Sequence, residues 1–531
     1  MLFRDPRSGS ITAAARIGPR RFFRYPNPIE ASMRVASAPS VEFQILSHAG
    51  LLVKGAGKSL IFDPWLVGSS YWRSWWNFPP VSRELIESLR PDFLYLTHIH
   101  WDHFHGPSLR KFPLDTPIFI PKSPARRMKK DLLAMGFENV TEIRHGQTVE
   151  LAPGLRLSSY QFYPFMDSAA VVECGGVTLF NANDAKFMGA PLDQILARHP
   201  RIDFVFRSHS SANERMCFDF MDEPARPRED SRRYLRDFAD FVRKVGARYA
   251  IPFASNHCYL HRETFHLNDT ITTPPQVEAY CRSRDMTHPE VKAMVSGDAW
   301  SSQTGFAIAK GPHFTDRDRC LEAYAAGQSQ VLEKFYALEA RTDTSLAQVE
   351  GYFRRFIAVL PWVVRRAFKD RQVTCVLSGK RTSRFWIDIH RGVIREVAGV
   401  DDEANPLQIY TSAYVFRRCM AQDMFIHLGI SKRVLFRSSK ADAKYFRLLI
   451  TLFNLYECEM LPAWKLLSPR FLAAWLPRWR EVGLYMVILC RQALGRPFSM
   501  GDYLKGDPAG QEGEKRPREV RWPVLITQKR L

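Results

Sequence analysis

The chain has 531 residues, of which 46% are hydrophobic and 24% charged, so it has the length for two packed domains and is not disordered throughout. The formal net charge of +20 and the pI of about 9.6 favour anionic partners such as lipid surfaces, phosphorylated substrates or sugar nucleotides. Nucleic acid is not an expected partner, because the sequence has no zinc-finger pattern, no aromatic stacking motif and no dense basic helix.

The cysteine pattern and the first residues predict a cytoplasmic location. The nine cysteines are scattered and none belongs to a C-x-x-C pair, which is typical of reduced thiols. No apolar run approaches the roughly 18–20 residues that a membrane span requires. Residues 1–40 are rich in Arg, Pro and Ser and lack a continuous apolar stretch, so they predict a flexible basic arm and not a secretory signal.

Strands and helices alternate from residue 41 to residue 312, and this span is assigned to one α/β domain. Alternating apolar residues predict a first strand at 41–45, and a glycine-containing turn at 55–57 predicts a hairpin that ends at Asp63-Pro64. Ser82 is placed to cap a short helix. Further strands are predicted at 93–96, 169–174, 177–180, 202–206 and 249–252, and a further helix at 234–245.

The sequence pattern changes near residue 311. Helical periodicity predominates at 319–370, 412–430 and 440–495, and a hairpin is predicted at 373–398. These features predict a C-terminal α+β domain, mainly helical, at 313–500. A charged tail is predicted at 501–531.

The run His98-Ile99-His100-Trp101-Asp102-His103 follows a predicted buried strand and carries the strongest chemical signal in the chain. A loop can fold these residues so that His98 and His100 bind one metal while Asp102 and His103 bind a neighbouring metal. Imidazole and carboxylate ligands together suit zinc or iron. The sequence therefore predicts a centre of one or two Zn²⁺ or Fe ions.

The segment Thr97-His98-x-His100-x-Asp102-His103 resembles the hallmark of the metallo-β-lactamase superfamily, and Ser47-His48-Ala49-Gly50 resembles the opening of its lactonase-like branch. Within the superfamily, the chain is similar to the catalytic region of CMP-N-acetylneuraminate hydroxylases over residues 41–300, and more weakly to about 465. The resemblance implies a four-layer αβ/βα sandwich. The similar segments, in chain order, are Asp63-Pro64-Trp65-Leu66-x-Gly68, Ser74-Trp75-Trp76, Met166-Asp167-Ser168, Asn181-x-Asn183-Asp184 and Ile251-Pro252-Phe253-Ala254.

The resemblance implies that Asp184 bridges two metals, but two superfamily histidines are replaced. Tyr163 stands where one histidine is expected, and Ala254 occupies the usual register of the last one. Tyr163 could coordinate as a phenolate, His209 or His257 could supply the missing nitrogen, or the site could hold one metal or none firmly. We expect His209 or His257 to be the replacement.

Two residues at earlier strand ends are expected to support the ligands. Asp63 is placed to accept a ring N–H from a ligand histidine and so fix its tautomer. His48 is either a similar supporting residue or a histidine of the hydrophobic core. Tyr163 is expected to be a supporting residue if it does not bind the metal itself.

Hydroxylases of the similar group carry a Rieske centre, which requires a C-x-H pair and a C-x-x-H pair. Cys258-x-x-His261 matches the C-x-x-H pattern, but no C-x-H pair occurs in the 531 residues. The likeness is therefore to the catalytic region without the Rieske domain. An oxygenase of this kind would need electrons from a separate redox protein.

Three functions follow from these residues. The first is a metal-dependent hydrolase that acts on an anionic or amphipathic substrate through metal-activated water, with Asp102 and Asp184 as catalytic residues. The second is a non-haem iron oxygenase supplied with electrons in trans. The third is a non-catalytic binding protein with a degenerate site. One scaffold hosts many chemistries, so the fold does not choose among them.

The C-terminal region contains a stretch in which tryptophan alternates with basic residues. This density suits a membrane interface or a channel for an amphipathic substrate, and predicts peripheral membrane contact. The residues are Trp464, Lys465, Arg470, Trp475, Arg478, Trp479 and Arg480.

Overall fold

The computed structural model describes residues 40–162, 167–210, 214–222, 231–309, 311–400, 406–481, 483, 484 and 487. Residues 1–39 of the predicted arm, Tyr163 and the predicted tail lie outside the described residues. Within the described part of the chain, no helix has the length and apolarity to cross a membrane.

The strands are short and lie mainly between residues 42 and 307. They are β1 (Glu42–Ile45), β2 (Leu51–Gly55), β3 (Lys58–Phe62), β4 (Ser69–Ser70), β5 (Trp75–Asn77), β6 (Phe93–Tyr95), β7 (Ile118–Pro121), β8 (Val140–Ile143), β9 (Thr148–Ala152), β10 (Leu155–Gln161), β11 (Ser168–Cys174), β12 (Val177–Asn183), β13 (Phe204–Ser208), β14 (Phe218–Phe220), β15 (Tyr249–Phe253), β16 (His257–Tyr259), β17 (Glu290–Val291), β18 (Ala299–Ser301), β19 (Gly305–Ala307), β20 (Val373–Ser378), β21 (Ser383–Asp388), β22 (Val393–Glu396), β23 (Leu407–Ser412) and β24 (Val434–Ser438).

The helices lie between the strands and dominate the chain after residue 316. They are α1 (Arg83–Ser88), α2 (Gly106–Leu109), α3 (Arg127–Ala134), α4 (Gly189–Arg198), α5 (Ser231–Val245), α6 (Pro274–Arg282), α7 (Arg317–Gly327), α8 (Ser329–Arg341), α9 (Leu346–Ala358), α10 (Trp362–Ala367), α11 (Ala413–Gln422), α12 (Ile426–Ser431), α13 (Ala443–Glu457) and α14 (Pro469–Trp475). Short 3-10 helices occur at Glu214–Cys217, Phe265–Thr270, Ala463–Leu467 and Leu476–Arg478.

Two large sheets form the first part of the molecule. One has eight strands in the order β19-β18-β1-β2-β3-β6-β7-β8, and the other has seven in the order β17-β15-β13-β12-β11-β10-β9. The predicted hairpin of β2 and β3 is present, with Leu51 opposite Phe62. The predicted hairpin of β11 and β12 is also present, with Cys174 opposite Val177.

A central core lies between the two sheets. Phe43 of β1 contacts Phe204 and Phe206 of β13 edge-on, with ring centroids 4.9 and 5.1 Å apart. Successive side chains of a strand point to opposite faces, so Phe62 faces this core while its neighbour Ile61 packs on the other face of the sheet. Both faces of the sheet are therefore buried.

Helices cover the outer face of each sheet. On the eight-stranded sheet, Ile61 lies in a cluster with Leu132 of α3. On the seven-stranded sheet, Phe180 packs with Phe241 of α5, whose apolar residues recur every three or four positions. The order helix, sheet, sheet, helix confirms the four-layer αβ/βα sandwich that the sequence predicts.

A third sheet organises the C-terminal region, in the order β14-β24-β23-β20-β21-β22. Helices α8, α9, α11 and α13 pack around it in the largest hydrophobic cluster of the described residues. The sequence indicates the hairpin of β20 and β21, but the parallel pairing of β20 with β23 joins residues more than 30 positions apart and has no local signal. The mainly helical α+β character is confirmed.

The two regions are in close contact. Strand β14 pairs with β24, so Phe218 lies opposite Phe436. Arg433 is fully buried and donates hydrogen bonds from Nη1 to the backbone oxygen of Trp72 at 3.0 Å and from Nη2 to Glu339 at 2.7 Å. The domain boundary near residue 312 stays a prediction, because these contacts do not show where one domain ends and the next begins.

Candidate metal centre

The loop after β6 turns back on itself and gathers its polar side chains. The backbone N–H groups of His103 and Phe104 both donate to the carbonyl oxygen of His100, at 2.9 and 2.7 Å. This turn brings the two ends of the histidine run together. The loop carries five polar side chains that are at most 1% exposed: Thr97, His98, His100, Asp102 and His103.

Asp63 organises this loop from the end of the neighbouring strand β3. Its carboxylate accepts hydrogen bonds from the backbone N–H of Thr97 at 2.8 Å and from the Thr97 hydroxyl at 2.6 Å. Oδ2 of Asp63 also lies 2.7 Å from His103 Nδ1. A carboxylate here holds a proton on Nδ1, which leaves Nε2 as the ring nitrogen of His103 that faces the centre.

Asp184 lies just beyond the end of β12 and faces the histidine run. Its Oδ1 is 3.7 Å from His98 Nε2 and 3.6 Å from His103 Nε2. The side chain of Asn183 holds the turn, because its Oδ1 accepts the backbone N–H of Asp184 at 2.7 Å and its Nδ2 donates to Ser168 at 2.8 Å. His98, His103 and Asp184 thus form one group whose donor atoms lie within 4.8 Å of one another.

A second donor group contains a residue to which the sequence assigned no role. Donor atoms of His98, His100 and Asp167 also lie within 4.8 Å of one another, and Asp167 Oδ1 is 4.0 Å from His98 Nε2. Asp167 is 2% exposed and comes directly before β11. In the sequence, Asp167 was marked only by its place in a segment similar to the hydroxylases, four residues after Tyr163, where a histidine is expected.

A third group joins His103 to Asp102 and His48. His48 Nε2 lies 3.2 Å from Asp102 Oδ2, and the donor atoms of the three residues lie within 4.8 Å of one another. The hydroxyl of Tyr71 donates a short hydrogen bond to the other oxygen of Asp102. Asp102 is therefore held from two sides.

His209 and His257 are buried close by but do not belong to these three groups. The His257 ring stacks on Trp75 at a centroid distance of 3.8 Å, and its centroid is 5.3 Å from that of His48. Burial lowers the pKa of His209 to about 3 and that of His257 well below its usual range, so both imidazoles are neutral. Their expected role as the replacement ligand stays a prediction, whereas Asp167 already lies within reach of His98.

The electrostatics of the centre favour a cation. Burial alone would lower the pKa of His103, but the charges of Asp184, Asp102 and Asp63 outweigh it and raise the pKa to about 9. His103 Nε2 makes no hydrogen bond within the described residues. Buried imidazole nitrogens and carboxylate oxygens that converge in this way fit one or two metal ions.

A cleft opens onto Asp102 and Asp184. Two cationic side chains line it: Lys186 is 9% exposed and Arg207 is 1% exposed. Burial lowers the pKa of Arg207 to about 10, at which the guanidinium is still charged at neutral pH. The cleft therefore combines the candidate metal ligands with two buried cations and one further buried carboxylate, Asp237.

The C-terminal region also reaches the centre. His427 of α12 is fully buried, and its ring centroid lies 4.5 Å from that of Trp101, 5.4 Å from Tyr71 and 5.7 Å from His100. No local pattern around His427 marks it as part of the site, since more than 300 positions separate it from the histidine run.

Comparison with known proteins shows partial similarity. No family model matches the chain. A putative Rieske 2Fe-2S iron-sulfur protein of Mycobacterium tuberculosis is 30% identical over 250 residues, which cover 44% of this chain and 47% of that protein. Cytidine monophosphate-N-acetylneuraminic acid hydroxylase of Xenopus laevis is 30% identical over 169 residues, which cover 30% of this chain and 29% of the hydroxylase.

Among solved structures, an isothiocyanate hydrolase from Delia radicum gut bacteria covers 50% of this chain and 100% of its own, with 14% identity and a TM-score of 0.38. The chain spans about half the length of the first of the curated relatives it matches, and under a third of the hydroxylase. The likeness to CMP-N-acetylneuraminate hydroxylases that the sequence suggested is confirmed over part of the chain.

Proposed function

We propose that this chain, which has the metallo-β-lactamase fold and resembles the catalytic region of CMP-N-acetylneuraminate hydroxylases, is a non-haem iron oxygenase acting on an anionic substrate. The observation that carries the proposal is the group His98, His100 and Asp167. Two imidazoles and one carboxylate, with the remaining positions open, are typical of non-haem Fe(II) oxygenases. Catalytic zinc sites also use two imidazoles and one carboxylate, so the resemblance to the hydroxylases, together with this ligand set, is what favours iron.

The residues divide into two sets around a shared carboxylate. His98, His100 and Asp167 would hold one ion, His103 and Asp102 a second, and Asp184 reaches both sets. Bound iron would supply the electron-transfer chemistry with which oxygen is activated. The protein residues hold this arrangement in place and keep it buried from bulk water.

Neighbouring side chains fix the ligands before any ion binds. Asp63 holds the proton of His103 on Nδ1, and Tyr71 and His48 contact the two oxygens of Asp102. These contacts set ring orientation and carboxylate rotamer, which raises metal affinity. Each supporting residue comes from a different strand end or loop, so the site depends on the complete sandwich.

The cleft supports an anionic substrate. Once Asp102 and Asp184 are neutralised by bound cations, Lys186 and Arg207 outweigh the remaining lining carboxylate, Asp237, and give the cleft a net positive charge. Such a charge attracts carboxylates and phosphates. The name of the Xenopus laevis relative describes a substrate with both groups, which makes CMP-N-acetylneuraminate a suitable probe.

The oxygenase requires a separate electron donor. Because the 531 residues contain no C-x-H pair, they do not supply the ligands of a Rieske cluster. We infer that a redox group outside these residues donates electrons to the centre, and an artificial reductant can replace it in the test.

A metal-dependent hydrolase is the second candidate, and one observation favours it. Asp184 Oδ1 lies almost equally far from His98 Nε2 and His103 Nε2, at 3.7 and 3.6 Å. A carboxylate between two imidazoles suits a pair of ions that activates water and polarises a scissile bond, with Asp102 or Asp184 moving the proton. In this candidate the ions would be zinc.

Oxygen uptake separates the two candidates. The iron-loaded full chain is given ascorbate and CMP-N-acetylneuraminate, and oxygen consumption is followed with an electrode. The proposal predicts uptake that is lost in His100→Ala and retained in His199→Gln, which changes a buried histidine at the end of α4 outside the donor groups.

Hydrolysis of the probe by the zinc-loaded chain, with no oxygen uptake by the iron-loaded chain, would favour the hydrolase and overturn the oxygenase. A chain that takes up neither metal would instead indicate a non-catalytic binding protein.

A further inference from the structure

We propose that residues 463–480 form a membrane-docking segment that binds bilayers containing anionic lipids. This proposal is independent of the reaction at the metal centre. It rests on the exposed apolar side chains, the charge and the anchoring of this segment.

Large apolar side chains are exposed at four positions of the segment. Trp464 is 68% exposed, Leu467 71%, Leu476 68% and Trp479 67%. Soluble surfaces rarely leave so many large apolar groups uncovered within so few residues. Indole rings prefer the boundary between lipid tails and water, since their N–H group can stay hydrated while the ring is buried.

The exposed charge of the segment is positive. Arg480 is exposed and Lys465 is partly exposed, whereas Arg470 pairs with Glu459 at 3.4 Å and Arg478 is buried. The nearest acidic side chain in the sequence after it, Glu481, is 1% exposed and pairs with Arg478. An anionic bilayer therefore meets basic and apolar groups together, with Arg480 placed over the Trp479 ring at 5.4 Å.

The segment is anchored to the body of the protein. Phe471 is fully buried in a cluster with Met460, Cys458 and Ala125, and Trp475 packs against this cluster. Arg478 donates to the backbone oxygen of Gln161. These contacts hold the short helices in place, so the exposed side chains are presented without prior folding, which lowers the ordering cost of binding.

The segment fits the surface of a bilayer and not its interior. The helix α14 and the two flanking 3-10 helices have seven, five and three residues, too short to span a bilayer. Short amphipathic elements with basic and aromatic side chains lie in the interface plane.

Vesicle sedimentation tests the proposal on the full chain. We expect the protein to sediment with vesicles of phosphatidylcholine containing about 30% phosphatidylglycerol, to bind pure phosphatidylcholine weakly, and to release at high salt. The double variant Trp464→Ala/Trp479→Ala should weaken binding at least about tenfold. Lys465→Gln/Arg480→Gln should weaken binding to the anionic vesicles and leave binding to phosphatidylcholine unchanged.

The matched control is Trp362→Ala, which removes a tryptophan that is 71% exposed but lies outside the segment. It should bind as the parent does, and matching thermal unfolding of all variants shows that the fold is retained. Absence of binding by the parent, or equal binding by Trp464→Ala/Trp479→Ala, would overturn the proposal. The proposal would also be overturned if the parent formed a dimer in solution and did not bind vesicles, and if Trp464→Ala/Trp479→Ala abolished that dimer. A second copy of the chain would then cover the segment.

Discussion

His103 and Asp63 form a buried pair in which Nδ1 of the imidazole lies 2.7 Å from Oδ2 of the carboxylate, with both side chains fully buried. The same carboxylate binds the backbone and hydroxyl of Thr97. One residue at the end of β3 thus sets both the tautomer of His103 and the path of the loop that carries the histidine run. The geometry of the candidate metal centre depends on such contacts between strand ends.

Replacement of Asp63 should therefore weaken metal binding without unfolding the protein. In Asp63→Asn the negative charge that favours Nδ1–H is lost, and we expect metal affinity to fall about 10–100-fold. Titration with a competing chelator measures this. Asp298→Asn is the control, because Asp298 is equally buried and accepts backbone N–H groups of Val295 and Ala309. Equal losses in both variants would contradict a specific role for Asp63.

Asp167 should determine which metal the centre prefers. We expect Asp167→Ala to lose about one metal equivalent, since its carboxylate completes the group with His98 and His100. Asp167→His should keep metal but raise the ratio of zinc to iron, because a third imidazole suits zinc. Elemental analysis after growth in medium with both metals gives the ratio. An unchanged ratio in both variants would show that Asp167 is not a ligand.

Arg433 should be essential for stability. It pairs with Glu339 at 2.7 Å and Glu263 at 2.8 Å while being fully buried. Arg433→Met leaves Glu339 buried without its cation, and we expect a loss of about 3–5 kcal/mol in the free energy of unfolding. Chemical denaturation measures the loss. Arg381→Met is the control: Arg381 also pairs with two carboxylates but is 55% exposed, so its removal should lower the free energy of unfolding far less.

Glu457 should make stability depend on pH. Burial raises its pKa from 4.5 to about 8, although the backbone N–H groups of Ile426 and Phe425 donate to it. Because the folded-state pKa lies above the unfolded value, the folded protein holds the extra proton between these values. Its contribution to stability is present below pH 4.5 and is lost as pH rises to about 8.

The measurement is the difference in unfolding free energy between Glu457→Gln and the parent from pH 5 to 8. The variant should gain stability relative to the parent as pH rises, because its neutral amide cannot ionise. Glu84→Gln, at an exposed position of α1, serves as the control for the loss of a carboxylate as such. A flat difference for Glu457→Gln would contradict the prediction.

The sequence predicts those parts of the fold that have local signals. Ser82 caps α1 by accepting the backbone N–H of Leu85 at 3.1 Å, and the glycine turns at 55–57 and 175–176 lie in hairpins. The pairing of β14 with β24 was not predicted, since it joins positions 218 and 436 and depends on tertiary packing.

The candidate metal centre likewise contains some residues that the sequence marks and others that it does not. The histidine run and Asp184 both follow strands, but β6 and β12 lie in different sheets, so their proximity was implied by the resemblance to the superfamily. Asp167, Tyr71 and His427 reach the centre through long-range packing, and a single carboxylate or histidine in a sequence does not reveal its neighbours. The resemblance to the hydroxylases included Asp167 but gave no reason to assign it a role.

Metal analysis combined with electron paramagnetic resonance tests the central claim most directly. The full chain, purified gently after growth with iron and zinc, should contain close to two metal ions, mainly iron, with a signal from the iron centre. Asp184→Ala should retain fewer than half of these ions, because Asp184 reaches both donor sets. Absence of stoichiometric metal in the parent, or full retention in Asp184→Ala, would contradict the account.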